Sequence, residues 1–385
     1  QGANRRHYFD QIEQHDLVLS TYPLIVRDEE VLLAHDYHYV VLDEAQVIKN
    51  PRAKAAKVVR QLKAEHRLCL TGTPMENHLG ELWSLFDFAM PGLLGNDKQF
   101  QKLFRTPIEK HGDTEQQARL TKRIAPFMLR RTKTEVVTEL PEKTEIIRTV
   151  SLGKKQATLY ESIRLTMEKK VQDSIASKGL ARSHIMILDA LLKLRQTCCD
   201  PAVLSLKQAK TIKESAKMEL LMDMLPEMLE EGRRILLFSQ FTKMLTIIEN
   251  ALKARGIVYS KLTGQTRNRD EAIETFKSGQ ANVFLISLKA GGVGWNLAEA
   301  DTVIHYDPWW NPAAENQATD RAHRIGQKNP VFVYKLITEN TLEEKILAMQ
   351  AKKQALAQGV YGKDNKEQDA KLTADDLKTL FEPLQ

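Results

Sequence analysis

The chain contains 385 residues, which is too long for one ordinary hydrophobic core, so we predict two domains with attachments. Its 42% hydrophobic and 28% charged residues fit a soluble globular protein, and it has no apolar run of membrane-spanning length and no signal-peptide core near residue 1. The net charge of +6 is compatible with a polyanionic partner but does not require one, because lysine and arginine are scattered along the whole chain.

The three cysteines show neither zinc-ligand nor disulfide-framework spacing. Cys69 lies in an apolar run, and Cys198 and Cys199 are neighbours. We therefore expect buried structural thiols. This cysteine usage favours a reducing intracellular location.

The first eighty residues alternate between strand-like and helical patterns. The predicted elements are a strand at Asp16–Val26, a strand at Tyr39–Leu42, a helix at Ala53–Leu62 and a strand at His66–Leu70. This alternation predicts part of a parallel α/β sheet. Such sheets carry their chemistry at the carboxyl ends of the strands, so the polar residues that follow two of these strands are candidate site residues.

Carboxylates follow the second predicted strand, and hydroxyls follow the last. Of Asp43 and Glu44, one could hold Mg²⁺ through water while the other orients or deprotonates an attacking water. An acidic pair that simply ends a strand is the alternative. Thr71 and Thr73 flank Gly72, either as functional hydroxyls or as part of an ordinary turn.

Helical patterns dominate the middle of the chain. The stretch from about 81 to 139 is rich in large apolar residues, which we interpret as core. A short strand at Glu145–Val150 is expected to return to the first sheet, and Gln156–Leu204 is again helical. The polar, lysine-rich stretch Ser205–Lys217 is the predicted domain boundary.

A second α/β pattern follows, with five strands and intervening helices, enough for one doubly wound domain. The predicted strands are Arg234–Ser239, Val258–Leu262, Asn282–Ser287, Thr302–Tyr306 and Val331–Ile337. The predicted helices are Lys243–Ala254, Arg269–Lys277, Gln317–Gln327 and Glu343–Gln358, with a short terminal helix at Leu372–Leu380.

The segment Gln317–Gln327 carries two arginines, Arg321 and Arg324, which share one face if the segment is helical. Planar, permanently charged guanidinium groups suit a transferring phosphoryl group, whose negative charge is spread over several oxygens. A surface helix with solvated arginines is the alternative. An acidic site and an arginine pair far apart in the chain favour two lobes that face each other across a nucleotide.

Two further segments have competing interpretations. The stretch Lys289–Asn296 contains three glycines, which allow backbone to approach a phosphate closely, but no Gly-Lys-Ser/Thr follows them, so a glycine turn is favoured over a Walker A loop. Trp309 and Trp310 either pack in the core or stack on bases, and core packing is favoured.

An ordered set of motifs covers about Asp16 to Gln358 and resembles the SWI/SNF-type DNA translocases of helicase superfamily two. The motifs are DLVLSTY, VVLDEAQ with IKN following, LTGTP, LRRTK, LRQTCCDP, ILLFSQFT, KLTGQT, ISLKAGGVGWNL, HYDPWWNP and QATDRAHRIGQ. The helical blocks resemble the insertions that separate this family from RNA helicases, and the compact layout resembles bacterial members. The resemblance implies an α/β fold of two RecA-like lobes, which bind ATP and Mg²⁺ between them and step along double-stranded DNA.

The resemblance also implies roles for individual residues. Asp43 would organise Mg²⁺, Glu44 would activate water, and Gln46 stands where most relatives have histidine. The residues implied to contact ATP are Asp43, Gln46, Thr71, Gly294, Gln317, Arg321 and Arg324, of which the two arginines would be arginine fingers. Thr71 and Thr73 would link hydrolysis to DNA contact. The implied DNA-tracking residues are Thr21, Lys49 and Asn50 in the first lobe, and Ser239, Gln240, Thr263, Gly264, Ser287 and Lys289 in the second.

The departure from the family that matters most is the phosphate loop, because the sequence contains no Gly-Lys-Thr motif. We therefore expect the C-terminal portion of a longer motor, inactive alone. The rivals are a strand-separating DNA or RNA helicase and a non-catalytic scaffold that binds nucleic acid or protein. The predicted partners are double-stranded DNA and a DNA-bound protein or polymerase complex, with no membrane, and the chain is expected to be a monomer.

The predicted domains follow from the same resemblance. They are the C-terminal part of the first lobe at 1–150, with a helical insertion at about 81–139; a helical insertion and linker at 151–215; the second lobe at 216–340; and a bracing helix and tail at 341–385.

Overall fold

A computed structural model describes residues 3–72, 75, 78–131, 140–179, 182–290, 295–361 and 380–384. Thr73, Gly294 and nearly all of the predicted helix Leu372–Leu380 lie outside these residues. The chain forms two compact units, of which the first contains Gln1–Leu129 and Lys353–Lys371 and the second contains Arg130–Lys352 and Leu372–Gln385. Among the helices in the described ranges, none is both long enough and apolar enough to cross a membrane.

The first unit is built on a two-stranded parallel sheet. Strand β1 (Asp36–Leu42) pairs with β2 (Lys63–Cys69), and Leu42 lies opposite Cys69 at the carboxyl end of the pair. The helices of this unit are α1 (Tyr22–Arg27), α2 (Glu29–Ala34), α3 (Lys54–Gln61), α4 (Leu79–Ala89), α5 (Asp97–Phe100), α6 (Thr106–His111) and α7 (Thr114–Ile124). Single turns of 3₁₀-helix include Ala45–Ile48, directly after β1.

One face of this sheet packs on α3 and α4. The side chains of Val59 on α3 and Phe88 on α4 are fully buried in a cluster that also contains Leu42 of β1. The apolar side chains that the opposite face exposes are Tyr39, Val41, Leu68 and Leu70. The alternation along each strand therefore separates a packed face from an open one.

The strand predicted at Asp16–Val26 is wrong. Residues 22–27 form α1 instead, and residues 16–21 pair with no strand in the part of the chain that the structure describes. Pro23 lies in the first turn of α1, where its fixed φ suits a helix and its missing N–H would have no partner in any case. The β-branched composition of this stretch was overridden by the proline.

The second unit contains a six-stranded, fully parallel sheet in the order β3-β8-β7-β4-β6-β5. The strands are β3 (Lys143–Val150), β4 (Ile235–Ser239), β5 (Tyr259–Leu262), β6 (Val283–Ser287), β7 (Thr302–His305) and β8 (Val331–Thr338). The helices are α8 (Lys154–Lys178), α9 (His184–Cys199), α10 (Ala216–Glu230), α11 (Thr242–Ala254), α12 (Arg269–Lys277), α13 (Pro312–Thr319) and α14 (Leu342–Tyr361).

The central strands of this sheet are buried on both faces. In β4, Ile235 and Leu237 belong to the core cluster on one face, whereas Leu236 and Phe238 belong to the cluster on the other. A parallel strand covered on both faces needs a continuous apolar run, which ILLFS supplies. The predicted α/β class with parallel sheets is confirmed.

Strand β3 exists as predicted, but the expectation that it returns to the first sheet is wrong. It pairs with β8 along its full length, from Lys143 opposite Val331 to Val150 opposite Thr338. The pairing brings Lys335 Nζ of β8 within 3.3 Å of Glu145 Oε2 of β3. Periodicity identifies a strand but not its partner, because the partner lies far away in the sequence.

Two helices also differ from prediction. Helix α10 was not predicted, since its sequence follows the stretch that reads as a boundary and contains Pro226. The helix predicted at Gln317–Gln327 is wrong beyond Thr319, where α13 ends. The predicted domain ranges remain a prediction.

Candidate functional site

A sharp turn follows β1 and presents two carboxylates. Glu44 has φ 48° and ψ 48°, a left-handed conformation that is uncommon for a residue with a side chain. Asp43 Oδ1 accepts a hydrogen bond of 2.9 Å from the Glu44 backbone N–H, and the Tyr22 hydroxyl donates to the Asp43 carbonyl at 2.8 Å. Both carboxylates are exposed. Unusual backbone of this kind concentrates at functional sites.

Burial keeps the Tyr22 hydroxyl protonated. Burial, together with the nearby Cys69 thiol and Asp43 carboxylate, raises the pKa of Tyr22 to about 12. The hydroxyl therefore remains a donor to the Asp43 carbonyl throughout the neutral pH range. This contact fixes the start of α1 against the turn.

A relay of side chains joins this turn to the end of β2. The Gln46 amide donates from Nε2 to Glu44 Oε2 at 2.6 Å, and its Oε1 accepts from the Thr71 hydroxyl at 2.7 Å. Backbone bonds hold the same two segments together, since Ala45 N–H donates to the Leu70 carbonyl at 2.9 Å. Gln46 thus bridges a carboxylate and a hydroxyl from two neighbouring strand ends.

The turn fits a hydrated divalent cation. Asp43 is exposed, and its Oδ2 accepts no hydrogen bond from any residue that the structure describes. A free carboxylate oxygen at a strand end is a hard ligand of the kind that Mg²⁺ takes together with water and phosphate oxygens. The residues present are therefore compatible with a magnesium ion that arrives with its nucleotide.

Of the three candidate DNA-tracking residues of the first unit, Lys49 and Asn50 closely follow this turn in the sequence, whereas Thr21 precedes α1. Thr21 is exposed and directly precedes α1. Lys49 Nζ lies 3.7 Å from the buried carboxylate of Glu81, and Asn50 Oδ1 accepts from the Arg52 backbone N–H at 3.0 Å. Their assignment to DNA contact remains a prediction.

In the second unit, the ends of β4 and β7 are joined by a buried carboxylate. Asp307 accepts from the Ser239 hydroxyl at 2.5 Å and from the Gln240 backbone N–H at 3.3 Å. Ser239 Oγ also accepts from the Phe241 N–H at 3.1 Å. The Ser239 side chain is only 1% exposed, so its hydroxyl orders the loop after β4.

The other candidate DNA-tracking residues separate into buried and exposed positions. Ser287 is buried and its hydroxyl accepts from the Ala290 N–H at 3.3 Å, and Thr263 is buried and its hydroxyl accepts from the Gln265 N–H at 3.2 Å. Gly264 and Lys289 are exposed. The hydroxyls of Ser287 and Thr263 hold the loops after β6 and β5 in shape. The groups available to a ligand are therefore the backbone at Gly264 and the side chain of Lys289.

The two arginines of the QATDRAHRIGQ motif occupy different environments, because they follow α13 in a series of turns. Arg321 is buried, and its Nη1 donates to the Trp295 carbonyl at 3.4 Å. Arg324 is exposed. The turns contain Gly326 at φ 99°, a conformation that a helix does not allow. The expectation that both arginines share one helix face is therefore wrong.

Gln327 holds this arginine turn in shape. Its Nε2 donates to the carbonyls of Ala300 at 2.6 Å and Ala322 at 3.1 Å, and its Oε1 accepts from the N–H groups of Lys328 and Asn329, each at 2.9 Å. The side chain is 7% exposed. One amide therefore satisfies four backbone groups.

Replacing Gln327 with alanine is expected to lower the free energy of unfolding by about 2 kcal/mol, because the two carbonyls lose their donor in a buried site. Urea unfolding followed by circular dichroism measures the change. Lys328→Ala, at an exposed neighbour, is the control and is expected to stay within about 0.5 kcal/mol of the parent chain. An equal effect of the two replacements would contradict this role of Gln327.

Several residues of the second unit were missed by sequence reasoning. Asp307 and Glu315 are almost fully buried carboxylates, and Arg195 is a buried cation whose guanidinium carbon lies 5.3 Å from the Trp309 ring and 5.5 Å from the Trp310 ring. Asp307 and Arg195 lie within the HYDPWWNP and LRQTCCDP motifs, but their burial depends on partners elsewhere in the chain. The tryptophans contact this arginine, which supports packing over base stacking.

Comparisons with known proteins match nearly the whole chain. A model of the SNF2-related domain matches residues 2–203, and a model of the helicase conserved C-terminal domain matches residues 216–326. A Mycoplasma pneumoniae protein named as an uncharacterized ATP-dependent helicase is 40% identical over 388 residues, covering 99% of this chain and 36% of that protein. The human SWI/SNF-related matrix-associated actin-dependent regulator of chromatin subfamily A member 1 is 39% identical over 344 residues, covering 86% of this chain and 32% of that protein.

A solved structure resembles the chain as well. The Sulfolobus solfataricus SWI2/SNF2 ATPase core in complex with double-stranded DNA is 38% identical, with a TM-score of 0.50 over 96% of this chain and 78% of that one. The chain spans only about a third of the length of the two relatives named above. The resemblance drawn from the motifs is confirmed, and the chain belongs to the SNF2 family of helicase-like proteins.

Proposed function

We propose that this chain is part of a motor that couples ATP hydrolysis to movement along double-stranded DNA. The observation that carries the proposal is the strand-end turn of a SNF2-family chain, which exposes Asp43 and Glu44 and connects Glu44 through Gln46 to Thr71. A carboxylate pair tied to a second strand end can transmit the state of a nucleotide to the segment that follows β2.

Asp43, Glu44 and Arg324 would have separate roles in hydrolysis. Asp43 would hold the Mg²⁺ that accompanies ATP, and the ion would neutralise charge on the phosphate oxygens. Glu44 orients the attacking water and takes its proton, and the hydrogen bond from Gln46 fixes the position of its Oε2. Arg324, which is exposed, stabilises the charge of the transferring phosphoryl group. In the same segment, Arg321 would be a second arginine finger and Gln317 would contact ATP.

Duplex DNA is the proposed track. The Sulfolobus relative is a core in complex with double-stranded DNA, and here Lys289 and Gly264 are exposed in loops after β6 and β5. Contacts of backbone N–H groups and a lysine with phosphates carry no base information, so binding is expected to be independent of sequence and sensitive to salt. We further propose that the motor works as a monomer inside the cell on DNA that carries a bound protein or polymerase complex.

The test is ATP hydrolysis by the whole protein with no DNA, single-stranded DNA or duplex DNA, beside this chain alone. Duplex DNA is expected to raise the rate of the whole protein about tenfold or more, and the stimulation should fall as salt rises. This chain alone is expected to be inactive, because its sequence has no Gly-Lys-Thr loop to anchor the triphosphate.

A strand-displacement assay and a triplex-displacement assay with the same protein separate the rival functions. Movement along duplex without strand separation supports the translocase. Strand separation would favour a helicase instead. Absence of hydrolysis by the whole protein, with or without DNA, would favour a non-catalytic scaffold.

A further inference from the structure

The last described segment of the chain, Leu380–Leu384, lies in a groove between α8 and the first turns of α14. Leu380 is 1% exposed and Phe381 is 4% exposed. Both belong to the core cluster of this part of the second unit, whose other members on the two helices include Tyr160, Ile163, Met167, Leu342 and Ile346. Two adjacent apolar side chains therefore anchor the segment.

Polar side chains of the groove contact the backbone of the segment. Arg164 Nη1 donates to the Phe381 carbonyl at 2.8 Å, and the Leu384 N–H donates to Glu161 Oε1 at 2.8 Å. From α14, Lys345 Nζ donates to the Glu382 carbonyl at 3.2 Å and lies 3.5 Å from the Glu382 carboxylate. These contacts hold the backbone of the segment at two carbonyls and one N–H, and its acidic side chain at Lys345.

The walls of the groove are held together without the segment. Arg164 is fixed on α8 by Glu161 Oε2 and Glu168 Oε2, each at 2.8 Å. The N–H of Leu342 at the start of α14 donates to the Tyr160 hydroxyl of α8 at 2.9 Å. The receptor side is therefore preorganised, which is the property that gives a short peptide useful affinity.

We propose that this groove is a peptide-binding site and that the chain's own terminal segment Leu-Phe-Glu-Pro-Leu is a separable ligand for it, docked in cis. A peptide that fits this groove has two adjacent large apolar residues followed by an acidic residue, and its backbone groups are available to the side chains of the groove. Leu380 lies nineteen positions beyond Tyr361, the last described residue of α14, so the ligand and the receptor belong to the same chain. This inference is independent of the proposed motor function.

The test uses the full-length chain and a fluorescent peptide of residues 378–385, KTLFEPLQ. In the wild-type chain the groove is filled by its own segment at an effective concentration of about 1 mM, so the added peptide binds only at about that concentration. In the full-length variant Leu380→Asp/Phe381→Asp, the groove is vacant. A peptide with an intrinsic Kd of about 10 μM should then bind about 100-fold more tightly to the variant than to the wild type.

Two controls make the result specific. The same peptide with Phe381→Asp should not bind the variant chain, and adding Arg164→Ala to the variant chain should weaken binding of the KTLFEPLQ peptide at least tenfold, because the donor to the Phe381 carbonyl is lost. If the double aspartate variant fails to fold, Phe381→Ala replaces it, and the unlabelled peptide is expected to raise its melting temperature.

The proposal is overturned if the peptide binds the variant and the wild type equally. It is also overturned if a folded variant binds no peptide, because the segment is then a permanent part of the core. Binding that survives Arg164→Ala would place the peptide at another surface and would likewise overturn it.

Discussion

Replacing Arg324 with alanine in the whole protein is expected to lower kcat for DNA-stimulated ATP hydrolysis by about 10³-fold, a loss of about 4 kcal/mol of transition-state stabilisation. Arg324 is exposed, and in the described parts of the chain its guanidinium makes no hydrogen bond or ion pair. The Arg324 guanidinium is therefore available to bind the phosphoryl group. The measurement is a steady-state rate at saturating ATP and duplex DNA.

Three comparisons test whether the guanidinium itself is responsible. Arg324→Lys is expected to recover little of the rate, because a lysine keeps the charge but loses the planar fork. Lys328→Ala removes a nearby exposed cation and should leave kcat unchanged. The melting temperature of Arg324→Ala should equal that of the parent. A rate within threefold of the parent would show that Arg324 is not an arginine finger.

Replacement of Arg321 is a less specific test than replacement of Arg324. Its buried guanidinium donates to the Trp295 carbonyl, and its own carbonyl accepts from the Leu297 N–H at 3.0 Å. Removal of this side chain disturbs the turn that carries Arg324. A loss of activity at Arg321 alone therefore does not separate a catalytic from a positioning role.

Replacing Lys217 with methionine is expected to lower the free energy of unfolding of the second unit by about 3–5 kcal/mol. Lys217 Nζ on α10 lies 2.5 Å from Glu343 Oε2 on α14 and donates to the Tyr306 carbonyl at 2.9 Å. Both side chains of the pair are 0% exposed. Burial alone would lower the pKa of Lys217, but the Glu343 carboxylate raises it above its ordinary value.

The expected loss of stability comes from Glu343, because the methionine variant leaves its charge buried without a cation. The double variant Lys217→Met/Glu343→Gln should therefore recover most of the loss, since glutamine can still accept the hydrogen bond that Thr338 N–H donates to Glu343 at 2.9 Å. Lys193→Met is the matched control. It breaks the partly exposed pair with Asp189 and should cost less than about 1 kcal/mol.

Urea unfolding, followed by circular dichroism and fitted to the transition of the second unit, measures these differences. Equal losses for Lys217→Met and Lys193→Met would contradict the role given to the buried pair. If Lys217→Met/Glu343→Gln is less stable than Lys217→Met, the loss of stability comes from the missing ion pair and not from the unpaired Glu343 charge.

The strands of the second unit could be predicted because a buried parallel strand needs a continuous apolar run. The run ILLFS of β4 and the run VFLIS of β6 have no other interpretation at that length. The acidic turn after β1 was predicted for a related reason, since Asp43 and Glu44 directly follow an apolar run. The assignment of Asp43 to Mg²⁺ and of Glu44 to water remains a prediction.

Features that depend on distant partners could not be predicted. The sequence around Arg321 has helical spacing, but the residues there form turns. The Gln327 side chain stabilises these turns by hydrogen bonds to four backbone groups, two of them in residues before Arg324. The partner of β3 follows it by 188 positions. Asp307 was overlooked because its partner Ser239 belongs to another motif. Local patterns contain no information on such contacts.

The pairing of β3 with β8 has a consequence for how the chain folds during synthesis. β3 leaves the ribosome before every other strand of its sheet, yet β8, the one strand that pairs with it among the described residues, is the last to be made. Residues 143–150 must therefore wait for residue 338, across an intervening stretch that can already form helices α8 to α10 and the four remaining strands. Closing so long a loop is slow, so this edge of the sheet should be the last part of the second unit to acquire its native structure.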